Sequence, residues 1–310
     1  LGIKMDAGSF DTQHEGFIYD AQFDYYGKRL ATCSSDNTIK IFQVTEGETP
    51  VPLSTISCKD GSAQRVAWSH PKFGSLLASA GLDKKVTIWK EVASNNWTEI
   101  WSYDKSNGPF TCVAWGPWQL GLVLAASSAD GCVSVLTCTT EDNWEVTKFF
   151  AHDGGATCLS WAPVVTPSLL RIEGDFAEPT RKLATGGADR LVKIWTCNAN
   201  EYKAEELARH THVIRDVAWA PSIGFSRQIV ASCGEDGLVV IWSREGDGAQ
   251  WHNTDLLKLA GHIWRVSWSV AGNLLAVSAS DSVTRLFKEN AEGNWEQLSQ
   301  ISELEAPESD

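Results

Sequence analysis

The chain has 310 residues, 43% of them apolar, and 15 tryptophans, enough to bury a large core, which excludes a disordered or fibrous protein. Its net charge of −13, from 26 basic and 39 acidic side chains, speaks against broad affinity for nucleic-acid phosphates or anionic lipid. The longest apolar stretch, Leu120 to Ala126, falls far short of the roughly 20 residues a membrane helix needs, and no charged-then-apolar leader opens the chain, so a soluble, non-secreted protein is expected.

Met5 is the only methionine, so residues 1–4 read as an expression remnant, 5–301 as the folded domain and 302–310 as a flexible acidic tail. A turn aspartate is followed six residues later by a large apolar residue, six times: Asp36 and Phe42, Asp83 and Trp89, Asp130 and Leu136, Asp189 and Trp195, Asp236 and Trp242, Asp281 and Phe287. Successive aspartates are 47, 47, 59, 47 and 45 residues apart, close to the roughly 40–45 residues of a WD repeat. The long interval contains an insertion, Val164 to Lys182, expected to be a solvated loop. A second marker precedes each aspartate, in order Ala21-Gln22-Phe23, Val66-Ala67-Trp68, Val113-Ala114-Trp115, Leu159-Ser160-Trp161, Val217-Ala218-Trp219 and Val266-Ser267-Trp268.

Each unit reads as four short strands, because β-branched and aromatic runs alternate with Gly, Pro, Asn, Asp and Ser clusters. In the first unit the strands are predicted near Ile18–Phe23, Arg29–Cys33, Thr38–Phe42 and Val51–Ile56. Six such sheets repeated radially make an all-β, six-bladed WD-repeat β-propeller. Within a blade, the aspartate accepts hydrogen bonds in the tight turn between the second and third strands, and a histidine at the blade entrance can reach it. His152 with Thr185, Asp189 and Trp195, and His210 with Ser232, Asp236 and Trp242, are predicted networks of this kind. They look like Ser/His/Asp catalytic sets, but their recurrence from blade to blade marks a structural device, so no catalytic residue and no enzyme are expected. His210 and His212 lack a third ligand, so neither metal nor cofactor is expected. The eight cysteines show no CxxC spacing, and Cys33 with Cys233, Cys112 with Cys158 and Cys138 with Cys197 fall at equivalent places in different units, so the cysteines read as unpaired apolar core residues in a reducing compartment.

Closed propellers commonly complete one blade with strands from both chain ends. Here the last blade supplies its own fourth strand, near Trp295 to Ile301, while the residues before Phe17 are polar and glycine-rich (Asp6, Gly8, Ser9, Asp11, Gln13). An open seam is therefore expected, to be filled by strands from a partner. Covering about 1,000 Å² of apolar surface there would gain at most about 25 kcal/mol before ordering and association costs. By position, the residues expected to receive the partner blade are Phe17, Ile18, Tyr25 and Tyr26 from the first blade, and Trp264, Trp268, Leu286 and Phe287 from the last.

Several segments are similar to one family: Asp24-Tyr25-Tyr26-Gly27-Lys28-Arg29-Leu30-Ala31-Thr32-Cys33-Ser34-Ser35-Asp36, His70-Pro71-Lys72-Phe73-Gly74, Gly186-Gly187-Ala188-Asp189, Ile214-Arg215-Asp216-Val217-Ala218-Trp219-Ala220-Pro221 and Lys288-Glu289-Asn290-Ala291-Glu292-Gly293-Asn294-Trp295-Glu296. Over about residues 14–296 the chain resembles the Sec-thirteen family of WD-repeat coat proteins and nucleoporins. The resemblance implies a non-catalytic scaffold, an open six-bladed propeller whose seventh blade comes from an α-solenoid partner. That partner is a COPII outer-coat subunit in ER-to-Golgi transport or a solenoid nucleoporin of the nuclear-pore Y complex; an amino-acid signalling complex is a third setting. The implied locations are ER exit sites, COPII vesicles and the nuclear envelope, with membranes reached only through the coat and no direct nucleic-acid contact. Two departures stand out: the second-blade entrance, Cys58 to Gln64, lacks a histidine and an aromatic residue, and Arg285 sits in the last third strand. A closed, peptide-reading WD adaptor is the alternative function, with an enzyme on a propeller as the third class.

Overall fold

The computed structural model describes residues 10–140, 143–164, 180–198, 201–221, 227–246, 248–290 and 292–302. Most of the insertion (165–179) and the acidic tail (303–310) lie outside the described residues, as do residues 1–4. The described chain is built from strands with two short 3-10 turns, Pro71–Phe73 and Trp118–Leu120.

Six four-stranded antiparallel meanders follow one another, each with its strands in sequence order. The first comprises β1 (Ile18–Phe23), β2 (Arg29–Ser34), β3 (Thr38–Gln43) and β4 (Val51–Ser57), within a residue of the sequence reading. The second comprises β5 (Ala63–Trp68), β6 (Leu76–Gly81), β7 (Val86–Ala93) and β8 (Asn96–Tyr103). The third comprises β9 (Phe110–Trp115), β10 (Val123–Ser128), β11 (Cys132–Thr140) and β12 (Asn143–Phe150). The fourth has β13 (Ala156–Trp161), β14 (Arg181–Gly187), β15 (Leu191–Asn198) and β16 (Glu201–Ala208). The fifth has β17 (Ile214–Trp219), β18 (Arg227–Gly234), β19 (Leu238–Glu245) and β20 (His252–Lys258). The last has β21 (Ile263–Trp268), β22 (Leu274–Ala279), β23 (Val283–Glu289) and β24 (Trp295–Ser302). Each meander is a propeller blade, so the fold class is an all-β, six-bladed WD-repeat β-propeller.

The chain divides into two compact units, with the boundary inside β13 between Thr157 and Cys158. In the first unit, one face of blade one (Ala31, Cys33, Ile39, Ile41) packs on Ala63, Val66 and Leu77 of blade two. One face of blade two (Ala78, Ala80, Val86, Ile88) packs on Phe110, Val113, Leu124 and Leu136 of blade three. In the second unit, Ala184, Val192 and Ile194 of blade four meet Ile214, Val217 and Val230 of blade five. Ala231, Cys233, Val239 and Ile241 of blade five meet Ile263, Val266, Leu275 and Val277 of blade six. Strands β2, β6 and β10 are therefore buried on both faces and read as apolar and small-residue runs rather than as an alternation.

Polar bonds repeat the same plan. The indole N–H of Trp68 donates to the Gln22 carbonyl at 2.9 Å, that of Trp115 to Ala67 at 3.0 Å, and that of Trp268 to Ala218 at 3.0 Å. These three tryptophans of the second marker thus fasten their blades to the ones before. Ion pairs add a rim contact, Arg29 with Glu91 and Arg227 with Glu289, both at 2.7 Å and both 62 residues apart in sequence. Cys33, Cys112, Cys158 and Cys233 are buried core residues, whereas Cys58, Cys132, Cys138 and Cys197 are only half-buried.

Candidate partner-binding surface

The blade networks fix which polar groups are already committed. In blade five, His210 Nε2 meets Ser232 Oγ at 2.8 Å, the other ring nitrogen meets Asp236 at 3.1 Å, and the Trp242 indole donates to Ser232 at 2.8 Å. Burial acts against the Asp236 carboxylate, but hydrogen bonds from the Thr211 and Leu238 amides and His210 outweigh it and hold it below the usual range. Burial pushes His210 down, favouring the neutral ring. In blade four the Trp195 indole donates to Thr185 at 2.9 Å, and Asp189 accepts the Leu191 amide at 3.2 Å. His152 is fully buried, its amide donating to the Gly131 carbonyl at 3.0 Å.

Blade one has the same device, which sequence reasoning missed: His14 bonds both Asp36 and Thr32 at 2.8 Å. The signal was the 22-residue gap between His14 and Asp36, near the 26 between His210 and Asp236. Blade two lacks it, as its sequence suggests. Cys58 occupies the entrance, and burial drives the Asp83 carboxyl above its ordinary value, only partly countered by the Lys85 amide at 3.0 Å. In blade six, Arg285 turns back on Asp281 at 2.5 Å, while His262 bonds the Glu235 carbonyl of blade five at 2.8 Å. Arg285 therefore replaces the histidine as the partner of its turn aspartate. Among the described residues no group of three or more His, Cys, Asp or Glu side chains is placed to hold a metal ion.

Equivalent positions then show which blade faces are unusual. Ile18 matches Ala63, Phe110, Ile214 and Ile263 in strand register. Those four are at most 5% exposed, whereas Ile18 is 45% exposed. Ala21 is exposed where Val66, Val113, Val217 and Val266 are buried. Phe23 is exposed where other blades carry the fastening tryptophan, and a phenyl ring has no donor for that bond. The neighbouring Phe17 is 81% exposed.

The last blade differs on its other face. Strand β22 buries Leu275, Val277 and Ala279 but leaves Leu274, Ala276 and Ser278 half-buried. Thr284, exposed and polar, stands in register where Ile39, Val86, Val133, Val192 and Val239 are fully buried. Leu286 is half-buried where Ile41, Ile88, Val135, Ile194 and Ile241 are buried.

The eight positions expected to receive a partner blade separate on this basis. Phe17, Ile18 and Leu286 lie on these uncovered faces. Phe287 is only 4% exposed and belongs to the packing between blades five and six, as does Trp268, whose indole is bonded to Ala218. Both leave the candidate surface. Tyr25 and Tyr26 are exposed but sit on the turn after β1, with Tyr25 against His70 of blade two at 4.8 Å. Trp264 is exposed and carries the Arg215 guanidinium 5.2 Å from its ring centroid.

Fold and networks together define a WD-repeat propeller. The family described as "WD domain, G-beta repeat" matches residues 8–43, 143–196, 203–243 and 253–288. The chain is 45% identical to "Protein transport protein SEC13" of Yarrowia lipolytica, over 94% of this chain and 98% of that protein. It is 47% identical to "Protein transport protein SEC13 homolog A" of Arabidopsis thaliana and 44% identical to "Protein SEC13 homolog" of Dictyostelium discoideum, each over 96% of this chain and 99% of the other. The chain belongs to the Sec-thirteen family.

Proposed function

We propose that this protein is a non-catalytic scaffold of protein transport that receives an inserted blade from an α-solenoid partner. The names of its relatives support the transport role. The observation that carries the insertion is Ile18, nearly half exposed at a position that four other blades bury. A sheet face left apolar and uncovered on a soluble protein calls for a partner. Strands added there would gain main-chain hydrogen bonds, while Phe17, Ile18 and Phe23 from the first blade and Leu286 from the last set their register.

The partners proposed are the solenoid subunit of the COPII outer coat, in ER-to-Golgi transport, and a solenoid nucleoporin of the nuclear-pore Y complex, with an amino-acid signalling complex as a further setting. The corresponding locations are the cytoplasm at ER exit sites and COPII vesicles, and the nuclear envelope. Membranes are reached through the coat, and no direct nucleic-acid contact is proposed.

Ile18→Asp and Leu286→Asp, purified at native level, test this reading. The expected result is loss of the crosslinked solenoid partner with strand content and melting temperature unchanged. Retention of the partner by both variants would overturn it and favour a closed, peptide-reading ring.

A further inference from the structure

Away from these uncovered faces, the turns joining the first and second strands of blades one, two and three carry a row of rings. Tyr26 lies 5.2 Å from Tyr25, Tyr25 lies 4.8 Å from His70, and His70 lies 5.7 Å from Trp118, centroid to centroid. The Lys72 ammonium stands 4.6 Å over the Trp118 ring. The 3-10 turns that bear Lys72 and Trp118 contain no buried residue. Each closes on a glycine in the left-handed region, Gly74 at φ 85° and Gly121 at φ 84°. Large rings on rigid turns that add nothing to the core are a pre-organised surface rather than packing.

The row is also rich in hydrogen-bond donors. The Lys72 amide donates to His70 Nδ1 at 3.1 Å, so the neutral ring carries its hydrogen on Nε2. That N–H, the two tyrosine hydroxyls, the Trp118 indole N–H and the Lys72 ammonium can all donate, and the tyrosine, tryptophan and lysine groups make no hydrogen bond to another described residue. An apolar chain rich in acceptors suits such a row. A proline-rich segment has this character, since proline keeps its carbonyl and lacks an N–H. Centroid distances of 5.2, 4.8 and 5.7 Å along the row leave alternate rings room for the roughly 9 Å advance of one polyproline II turn, so prolines three apart can meet alternate rings.

We propose that the Tyr26–Tyr25–His70–Trp118 row, with Lys72, is a docking surface for a proline-rich segment of a partner protein in the polyproline II conformation. It shares no residue with Phe17, Ile18 or Leu286, so it succeeds or fails independently of blade insertion.

The test is titration of the full chain with a blocked ten-proline peptide, followed by calorimetry and tryptophan fluorescence, with Gly-Ser and glutamate ten-mers as controls. The expected result is saturable binding of the proline peptide alone, weakened at least about tenfold in Trp118→Ala and in Tyr25→Ala, the loss of a ring contact central to the site. Both residues are exposed, and an unchanged circular dichroism spectrum and melting temperature verify the fold of each variant. Ile18→Asp should bind the peptide like the parent protein. No binding of the proline peptide, equal binding of the Gly-Ser control, capture of the glutamate peptide instead, or unchanged affinity in both ring variants would overturn the proposal.

Discussion

Asp20, buried on β1, extends Oδ2 to the backbone N–H of Val66 on β5 at 3.1 Å, and Asp216 on β17 does the same for Val266 on β21 at 3.1 Å. Each carboxylate leaves its own sheet to satisfy an inner-strand amide of the next blade. The second oxygen stays home, accepting the amides of Ala21 and Val217 at 3.0 Å. A buried amide without an acceptor is costly, so these aspartates couple neighbouring blades within each unit through a bond that solvent cannot replace.

Asp20→Ala should destabilise the protein by about 1–3 kcal/mol, the cost of stranding a buried N–H. A lowered urea midpoint with unchanged slope would show it. Burial raises the Asp20 carboxyl above its ordinary value, partly opposed by Arg65, so the folded state binds its proton more readily than the unfolded state. Its contribution to stability therefore grows as pH falls from above the folded pKa towards about 4, the unfolded value, and Asp20→Asn should remove that component of the pH profile.

His210 and Asp236 have the opposite sign. Both values are lowered in the folded state, so their contributions are present above the unfolded pKa and are lost on acidification, first below about 6.5 for the histidine and then below about 4 for the aspartate. Tm should fall between pH 7 and pH 5. His210→Gln should show a lower Tm at pH 7 and a flatter profile over that interval; an equally steep profile would reject this assignment.

Asp83 and Asp236 occupy equivalent turns with different partners. Asp83→Asn keeps an oxygen for the Lys85 amide and removes a carboxylate that burial disfavours, so its effect should lie within about 0.5 kcal/mol of zero. Asp236→Asn gives up acceptor capacity used by His210, Thr211 and Leu238 and should cost about 1–3 kcal/mol. Denaturant melts of the two variants side by side decide the point.

Trp68→Phe should lose about 1 kcal/mol with the indole bond to Gln22, while Phe23→Leu, at the exposed equivalent position, should change stability by less than about 0.5 kcal/mol. Equal costs would mean that Phe23 is held as firmly as Trp68.

The strands were legible because their signal is local. Turn aspartates, alternating third strands and Gly or Asn punctuation recur in the sequence, and β1 to β4 fall within a residue of where those signals place them. The Trp242–Ser232–His210–Asp236 set was legible for the same reason, since its members keep fixed distances from one turn. His14 was missed because it lies before the first strand, among residues whose polarity reads as a tail.

The sequence alone determined the number of blades, the strand boundaries of the first blade and the commitment of turn aspartates to structure, since each follows from a pattern of residues within one repeat. Which apolar residues stay open to water was decided only by the tertiary structure. Phe287 and Ile18 look alike in a string of letters. Phe287 is buried against blade five and Ile18 is open to water, because burial depends on what a neighbouring sheet places opposite a side chain, dozens of residues away.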